Sequence, residues 1–462
     1  MTVVARDTGS KPEVVVIGGG LSGLLAANEL AGYARSVTVV ERDNYPSAAV
    51  FRKGVPQARH VHVLLTGGQE ALEQLLPGVA GDLLTAGARR LPFPRDVLVC
   101  GRNGWEQRFP NDVHSLLCLT RPLLDEVVRT SVLNGRGRAP SRIEVLQGAE
   151  VIGLSGSHRL VRGVRVRLRD GGEARDLSAD LVVDASGRTS RANLWLQALD
   201  CTAPREEVVD SELAYASRVL RLKSAHRVGV SMQPRRDCPR GGTLVPVEND
   251  RWLVTLYGFR EHQPSAVEAD FLPFARSLAH GYIHDLLLDA ESVGPVFGFR
   301  GTSNRRRHYD KLTPEGFLAI GDAVCTFNPV YGQGMSVAAL GVLALRAALQ
   351  RYGLAPGMAL AAQRAIAQAA EPAWLTATGA DRPFTAAAAS GGAGQRFQDW
   401  YVDRLARRSA VDRVVSRTFA DVTLLAAPPA RLFSPAVALR TLLLPCRPGL
   451  ADPPTLAEPF GQ

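Results

Sequence analysis

Lysine is almost missing from this chain: Lys11, Lys53, Lys223 and Lys311 are the only four among 54 basic residues in a length of 462. The formal charge is nevertheless +9, so arginines scattered from end to end carry the excess. No basic stripe interleaved with aromatics accompanies them, and no zinc-finger or recognition-helix spacing, which argues against a nucleic-acid partner. Cysteine is scarce too. The six (Cys100, Cys118, Cys201, Cys238, Cys325, Cys446) never form CxxC, and no secretion-type segment opens the chain. Free thiols in a reducing cytoplasm are expected. Nor does any apolar run reach the roughly 18 residues that a membrane span requires. The most apolar stretch, 422–446, is broken by Pro428, Pro429, Pro435 and Pro445 and by arginines. It reads as a groove cover or a segment lying on a surface.

What is present is a globular chain with 46% hydrophobic residues, long enough for two or three joined domains. Residues 13–42 read EVVVIGGGLSGLLAANELAGYARSVTVVER. Val14 to Ile17 is a continuous apolar run, as in a strand buried on both faces. Gly18, Gly20 and Gly23 form GxGxxG at the strand-to-helix turn: one for the turn, one for approach of a pyrophosphate, one for close packing. A helix over 21–31 would aim its first amides at the phosphates. A second strand, Ser36 to Val40, ends in Glu41, placed to accept from a ribose hydroxyl. A carboxylate there repels a 2′-phosphate, which disfavours a permanently held NADP.

The stretch GDAVCTFNPVYGQGMS, 321–336, selects among the dinucleotides. An NAD enzyme needs no second nucleotide-binding element so far along the chain, whereas a flavin extends well beyond its pyrophosphate. Asp322 at a strand end can accept from ribityl hydroxyls. Pro329 sets a turn, and Gly332 and Gly334 let backbone amides approach the flavin pyrimidine edge. The helix that follows offers a partial positive charge of roughly +0.5 there. The cofactor expected is FAD. Arg42 beside Glu41, and Met335 beside Gly334, complete the set expected to line it.

With DLVVDASGRTSR at 180–191, these two motifs resemble the FAD-dependent aromatic hydroxylase and epoxidase superfamily of the p-hydroxybenzoate hydroxylase type. The resemblance implies that Asp184 and Gly187 contact FAD and a transient NAD(P)H, although Ala185-Ser186 separate them here. The segments 51–78, 104–110, 121–129 and 247–258 look like actinobacterial polyether epoxidases acting on polyene chains. After about residue 355 the chain is more similar to flavin-bound tailoring enzymes of polyketide pathways, including redox-neutral decalin-forming cyclases. Three functions stay open at this stage: epoxidation or hydroxylation of an apolar polyene, a Diels–Alder closure, and a non-catalytic flavoprotein that binds such a chain. Arg52 and Arg121 are the basic groups expected on FAD, the latter in a forked geometry.

No acid–base or nucleophile set emerges, as befits chemistry carried by a cofactor. His60 and His62 would share one face of a strand, without a third metal ligand. His280 and His284 sit at helical spacing without the glutamate of HExxH. Ser22 and Ser186 lie outside GxSxG. Cys325 is close enough to Asp322 to raise a covalent flavin link. Trp252 stands alone, without the WxWxIP of tryptophan halogenases. The expected architecture is α/β: a Rossmann-like FAD-binding domain (1–75, 116–200, 300–380), an inserted β-sheet substrate domain (76–115, 201–299), and a helical C-terminal region (381–462). A hairpin is expected over 241–259, turning at Glu248-Asn249-Asp250.

Overall fold

The computed structural model describes residues 11–109, 113–135, 138–139, 142–223, 226–311, 314–385, 392–445 and 447–455. Cys446, Pro110 and the end of the alanine-rich stretch 359–389 lie outside the described residues. The elements used below are β1 (Glu13–Ile17), α1 (Leu21–Leu30), β2 (Ser36–Glu41), α2 (Thr66–Leu75), α3 (Arg121–Thr130), β3 (Ile143–Gln147), β4 (Leu181–Asp184), β5 (Glu206–Arg221), β6 (Arg240–Val247), β7 (Arg251–Phe259), β8 (Phe297–Arg307), β9 (Phe317–Ala319), α4 (Gly334–Tyr352), α5 (Met358–Asp381), α6 (Ala393–Ser409), α7 (Arg413–Thr423) and α8 (Pro435–Leu443).

Valine-rich β1, β2 and β4 can be buried on both faces, and a parallel sheet is where such runs belong. The observed order is β9-β4-β1-β2-β3, with every pairing parallel. Helices α1 and α4 cover it through Leu24, Leu25, Val342 and Leu345, all buried in one core cluster. A second, larger sheet runs 325–326, β8, β5, β7, β6, 229–232, 97–101, 104–105. The expected hairpin is β6 and β7, paired antiparallel from Arg240↔Gly258 to Val247↔Arg251. Asn249 and Asp250 turn it with φ of 61° and 52°, a left-handed conformation that Asn and Asp tolerate. Strand 97–101 joins this sheet in parallel with 229–232, and 104–105 pairs beyond it.

Two local expectations are corrected. His60 and His62 do not alternate along a strand: Pro56 opens a short 3-10 turn to Arg59, and pairing resumes only at Val63. Proline at the first helical position favours such a start. His280 is not on a helix either. The helix begins at Tyr282 after Gly281, leaving the His280 ring edge-on to Trp105 at 5.3 Å.

The C-terminal helices are fastened to the sheet layers by small residues and backbone bonds. Gly67 in α2 donates to Leu424 O at 3.0 Å, and a Cβ at Gly67 would stand 2.1 Å from Leu425 O. His114 Nε2 lies 2.7 Å from Asp421 Oδ1. Overpacking of this kind costs about 1–3 kcal/mol. Gly67→Ala is therefore expected to lower the urea midpoint and to speed proteolysis within 410–430. A midpoint equal to that of the parent would show that the clamp yields without cost.

Candidate functional site

Three turns leave one edge of the parallel sheet. Ile17, Asp184 and Ala319 are aligned across it, so the segments after β1, β4 and β9 start side by side. Gly18 turns with φ of +97°, and a Cβ there would stand 2.7 Å from Ala185 O. Gly23 lets α1 close on the turn: its Cβ would lie 1.9 Å from Gly18 O. Gly20 is different, because a Cβ there would meet nothing within 4 Å. Packing alone does not call for a bare backbone at Gly20.

The second motif lies against the first. A Cβ at Gly321 would stand 2.2 Å from Ser22 Oγ, so the turn carrying Asp322 touches the first turn of α1. Asp322 Oδ1 in turn lies 3.9 Å from where a Gly334 Cβ would be, at the start of α4. Neither α1 nor α4 has a side-chain cap or an acid in its first turn. Their first amides lack intrahelical partners, and both helix ends carry partial positive charge toward this region. Pro329 opens a 3-10 turn that Gly332 ends at φ +63°, and Met335 is buried one residue into α4.

Charged groups of alternating sign link the two motifs. Glu41, 6% exposed, accepts from Gly19 N at 2.8 Å and Asp43 N at 3.0 Å. Arg52 lies 3.6 Å from Glu41 Oε2 and 3.6 Å from Asp125 Oδ2, with only 7% of its side chain exposed. Asp125 accepts from Arg121 Nε at 2.8 Å. Asp322 lies in the field of Arg121: burial pushes its carboxyl above the usual range, while Arg121 and Arg188 pull it back. Arg121 is seated by Thr120, which caps α3 and is held through its amide and hydroxyl by Glu248 of the hairpin turn. Arg42, the next residue after Glu41, donates to Gly54 O at 3.1 Å.

Asp184 is fully buried, and both its oxygens are engaged by its own loop, from Ser186 N, Ser186 Oγ and Ser190 Oγ. Of the two residues that loosen the motif, Ser186 thus supplies an amide and a hydroxyl to its acid. Gly187 turns this loop with φ of +80°. Arg188 from the same loop donates to Ser303 O at 3.0 Å and Gly301 O at 2.7 Å, tying it to β8. Cys325 is buried in its pairing with Arg306, and burial holds its thiol protonated, the form least able to attack a flavin. Among the described residues no group of three or more His, Cys, Asp or Glu is placed to hold a metal ion.

Two features escaped the sequence reading. Asp125 follows Arg121 by one helical turn, a spacing that was legible. Asp381 had no local signal: it ends α5, is fully buried, and accepts from Asn304 Nδ2 at 2.6 Å, Asn328 Nδ2 at 3.0 Å and the Tyr331 hydroxyl at 2.5 Å. It thereby steadies the 328–331 turn. Tyr215 steadies the same turn by donating to Asn328 Oδ1 and accepting from Val330 N. Beside the turn, Leu213, Tyr215, Tyr257 and Phe259 cluster with Phe299, Val330 and Phe384. His60 lies against this cluster, 5.7 Å from the Tyr215 ring and 5.2 Å from the Phe299 ring, with Nδ1 2.7 Å from Ser217 Oγ.

The sequence matches a family described as FAD binding domain over residues 11–352. The chain belongs to that family, and so to the FAD-dependent monooxygenases of the p-hydroxybenzoate hydroxylase type. It is 31% identical to Protein Rv3254 of Mycobacterium tuberculosis over 389 residues, covering 81% of each chain. It is 26% identical to 6-methylpretetramide 4-monooxygenase of Streptomyces rimosus, over 71% of this chain and 73% of that one. In fold it resembles the crystal structure of p-nitrophenol 4-monooxygenase PnpA from Pseudomonas putida, with a TM-score of 0.64 at 18% identity, covering 90% of this chain and 98% of that one.

The glycines separate ligand space from packing space. Gly20→Val should leave the fold intact and weaken FAD retention by roughly tenfold or more, about 1.4 kcal/mol or above. Gly23→Ala should instead lower the unfolding midpoint, through its collision with Gly18 O. Equal FAD content in folded Gly20→Val and parent protein would put the pyrophosphate elsewhere. The histidines generate a pH prediction. Burial holds His60 down at about 3 and His62 at about 4, against 6.5 when unfolded. The unfolded chain then binds more protons, so stability present above the unfolded value is lost as pH falls toward the folded ones. Glu106, pushed up to about 7 by burial, opposes this, because it takes up a proton on folding. His60→Gln should flatten the fall of the urea midpoint between about pH 6 and pH 4. An unchanged slope would mean that His60 is protonated in the fold.

Proposed function

We propose that the protein is an NAD(P)H- and oxygen-dependent monooxygenase that epoxidises or hydroxylates an apolar, polyketide-type substrate. The observation that carries this reading is the aromatic cluster of Tyr215, Tyr257, Phe259, Phe299 and Phe384 packed with Val330 of the 329–334 segment. A substrate seated beside this segment would meet these packed rings, which favour an apolar molecule and keep water from the cofactor. The similarity to 6-methylpretetramide 4-monooxygenase supports oxygen insertion in a polyketide-tailoring role.

The residues present fit FAD. Gly20 has open space where a pyrophosphate would approach, and two uncapped helix ends flank the Asp322 carboxylate. In this reading Glu41 accepts from the adenosine ribose while Arg52 fixes its orientation. Gly20 and the first amides of α1 take the pyrophosphate. Arg121 holds Asp322 ready to accept from ribityl hydroxyls. Pro329, Gly332, Gly334 and Met335 present the start of α4 to the pyrimidine edge, where its dipole offsets negative charge. Reduced flavin supplies the activated oxygen. Asp184 and Gly187 shape the loop beside it rather than bind it, and Asp381 and Tyr215 hold the 328–331 turn under the substrate. Residues 1–75, 116–200 and 300–380 form the FAD-binding part, with 76–115 and 201–299 over the substrate and the helical C-terminal region closing the far side. NAD(P)H visits without a resident site, consistent with the single GxGxxG, and the enzyme works in a reducing cytoplasm.

Mass spectrometry after turnover tests the reaction. FAD-loaded enzyme given an apolar polyene, oxygen and NAD(P)H should yield a product carrying one added oxygen atom, and none under nitrogen. A product of unchanged mass formed anaerobically without nicotinamide would replace this reading with a redox-neutral cyclase. Binding without any product would replace it with a carrier.

A further inference from the structure

Among the described residues, 21 large hydrophobic side chains stand exposed, and ten of them lie between Phe397 and Leu450. They are not scattered. On α6, Phe397 (60% exposed) and Trp400 (50%) share a face, their rings 5.7 Å apart. Arg404, one turn on, places its guanidinium 5.8 Å from the Trp400 ring and donates to the carbonyls of Thr441, Leu442 and Leu444 at the end of α8. That end exposes Leu439 (57%), Leu442 (41%) and Leu443 (74%), while Val437 and Thr441 face inward. Arg404 thus brings the apolar face of α6 and the apolar end of α8 together.

The same stretch is basic. Between residues 392 and 455 there are nine arginines and five aspartates, with no lysine and no glutamate. Arg407, Arg408 and Arg440 are paired with Asp403 or Asp412. Arg413, Arg417 and Arg431 are exposed. Exposed aromatic and leucine side chains in a segment with an excess of arginine over acid suit the boundary between lipid headgroups and acyl chains, where apolar burial and attraction to anionic lipid add. A contiguous exposed patch of this kind marks an interaction surface. Self-association is the less favourable occupant, because a two-fold interface sets the same patch, and its arginines, against itself. No helix among the described residues is long and apolar enough to cross a membrane, so the contact is with the surface.

We propose that the α6–α8 face, centred on Phe397, Trp400 and Leu442–Leu443, docks the protein on an anionic lipid surface. The docking is independent of which reaction the flavin performs. FAD-loaded full-length protein should sediment with vesicles of phosphatidylcholine and phosphatidylglycerol, much less with phosphatidylcholine alone, and be released by high salt. The double variant Trp400→Ser, Leu443→Ser replaces exposed side chains and should keep its flavin while losing about tenfold in vesicle affinity. Arg413→Gln with Arg417→Gln should weaken binding to the mixed vesicles and reduce its salt dependence. Failure to sediment with mixed vesicles overturns the proposal, as does undiminished binding by the flavin-loaded double variant. A dimer in light scattering that the double variant abolishes would also overturn it, assigning the face to a second copy.

Discussion

The pairing of Arg52 between Glu41 and Asp125 is the interaction on which the site depends. A buried guanidinium with one carboxylate would leave charge uncompensated; with two, it becomes a strut between β2 and α3. Asp125 passes the constraint to Arg121, and Arg121 sets the field felt by Asp322. Elements far apart in the chain are thus held at fixed separation by alternating charge. Removing one member would strand its neighbours as unpaired charges in a low dielectric, which costs more than the lost contact itself.

Backbone closeness does the rest. Three turns can leave one sheet edge only if they pass within contact of one another, and Gly18, Gly23 and Gly321 are the positions where they do. Each is bare for a packing reason visible in the protein. Gly20 is bare for none, since a Cβ there would meet nothing within 4 Å. The looser 184–187 motif follows the same logic: its inserted serine turns back onto Asp184 and supplies both an amide and a hydroxyl to the buried acid.

What could be read beforehand was local. The strand, glycines, helix, strand and acid of residues 13–41 lie within one supersecondary unit, and the 240–259 hairpin declares itself by its turn residues. The helix after Gly334 was equally legible, and it extends to Tyr352. Asp381 was not legible, because its partners Asn304, Asn328 and Tyr331 come from strand and turn segments 50 or more residues away. His60 and His62 misled because alternation was assigned without weighing Pro56, whose ring starts a 3-10 turn. The aromatic cluster was hidden for a similar reason: its members come from β5, β7, β8 and two turns, and only sheet pairing brings them together.

The family match stops at residue 352, yet the tail beyond it is keyed into the matched part. Leu425 O occupies the place of a Gly67 side chain, Asp421 meets His114, Trp105 exchanges backbone bonds with Leu450, and Gln107 N reaches Ala410 O. Lock and key here lie on opposite sides of the point where the family match ends. A tail grafted from a relative would bring its own keys to sockets cut for another, so exchange between such enzymes has to carry positions 67, 105, 107 and 114 along with the helices. The unit of inheritance in this fold is wider than its recognisable domain.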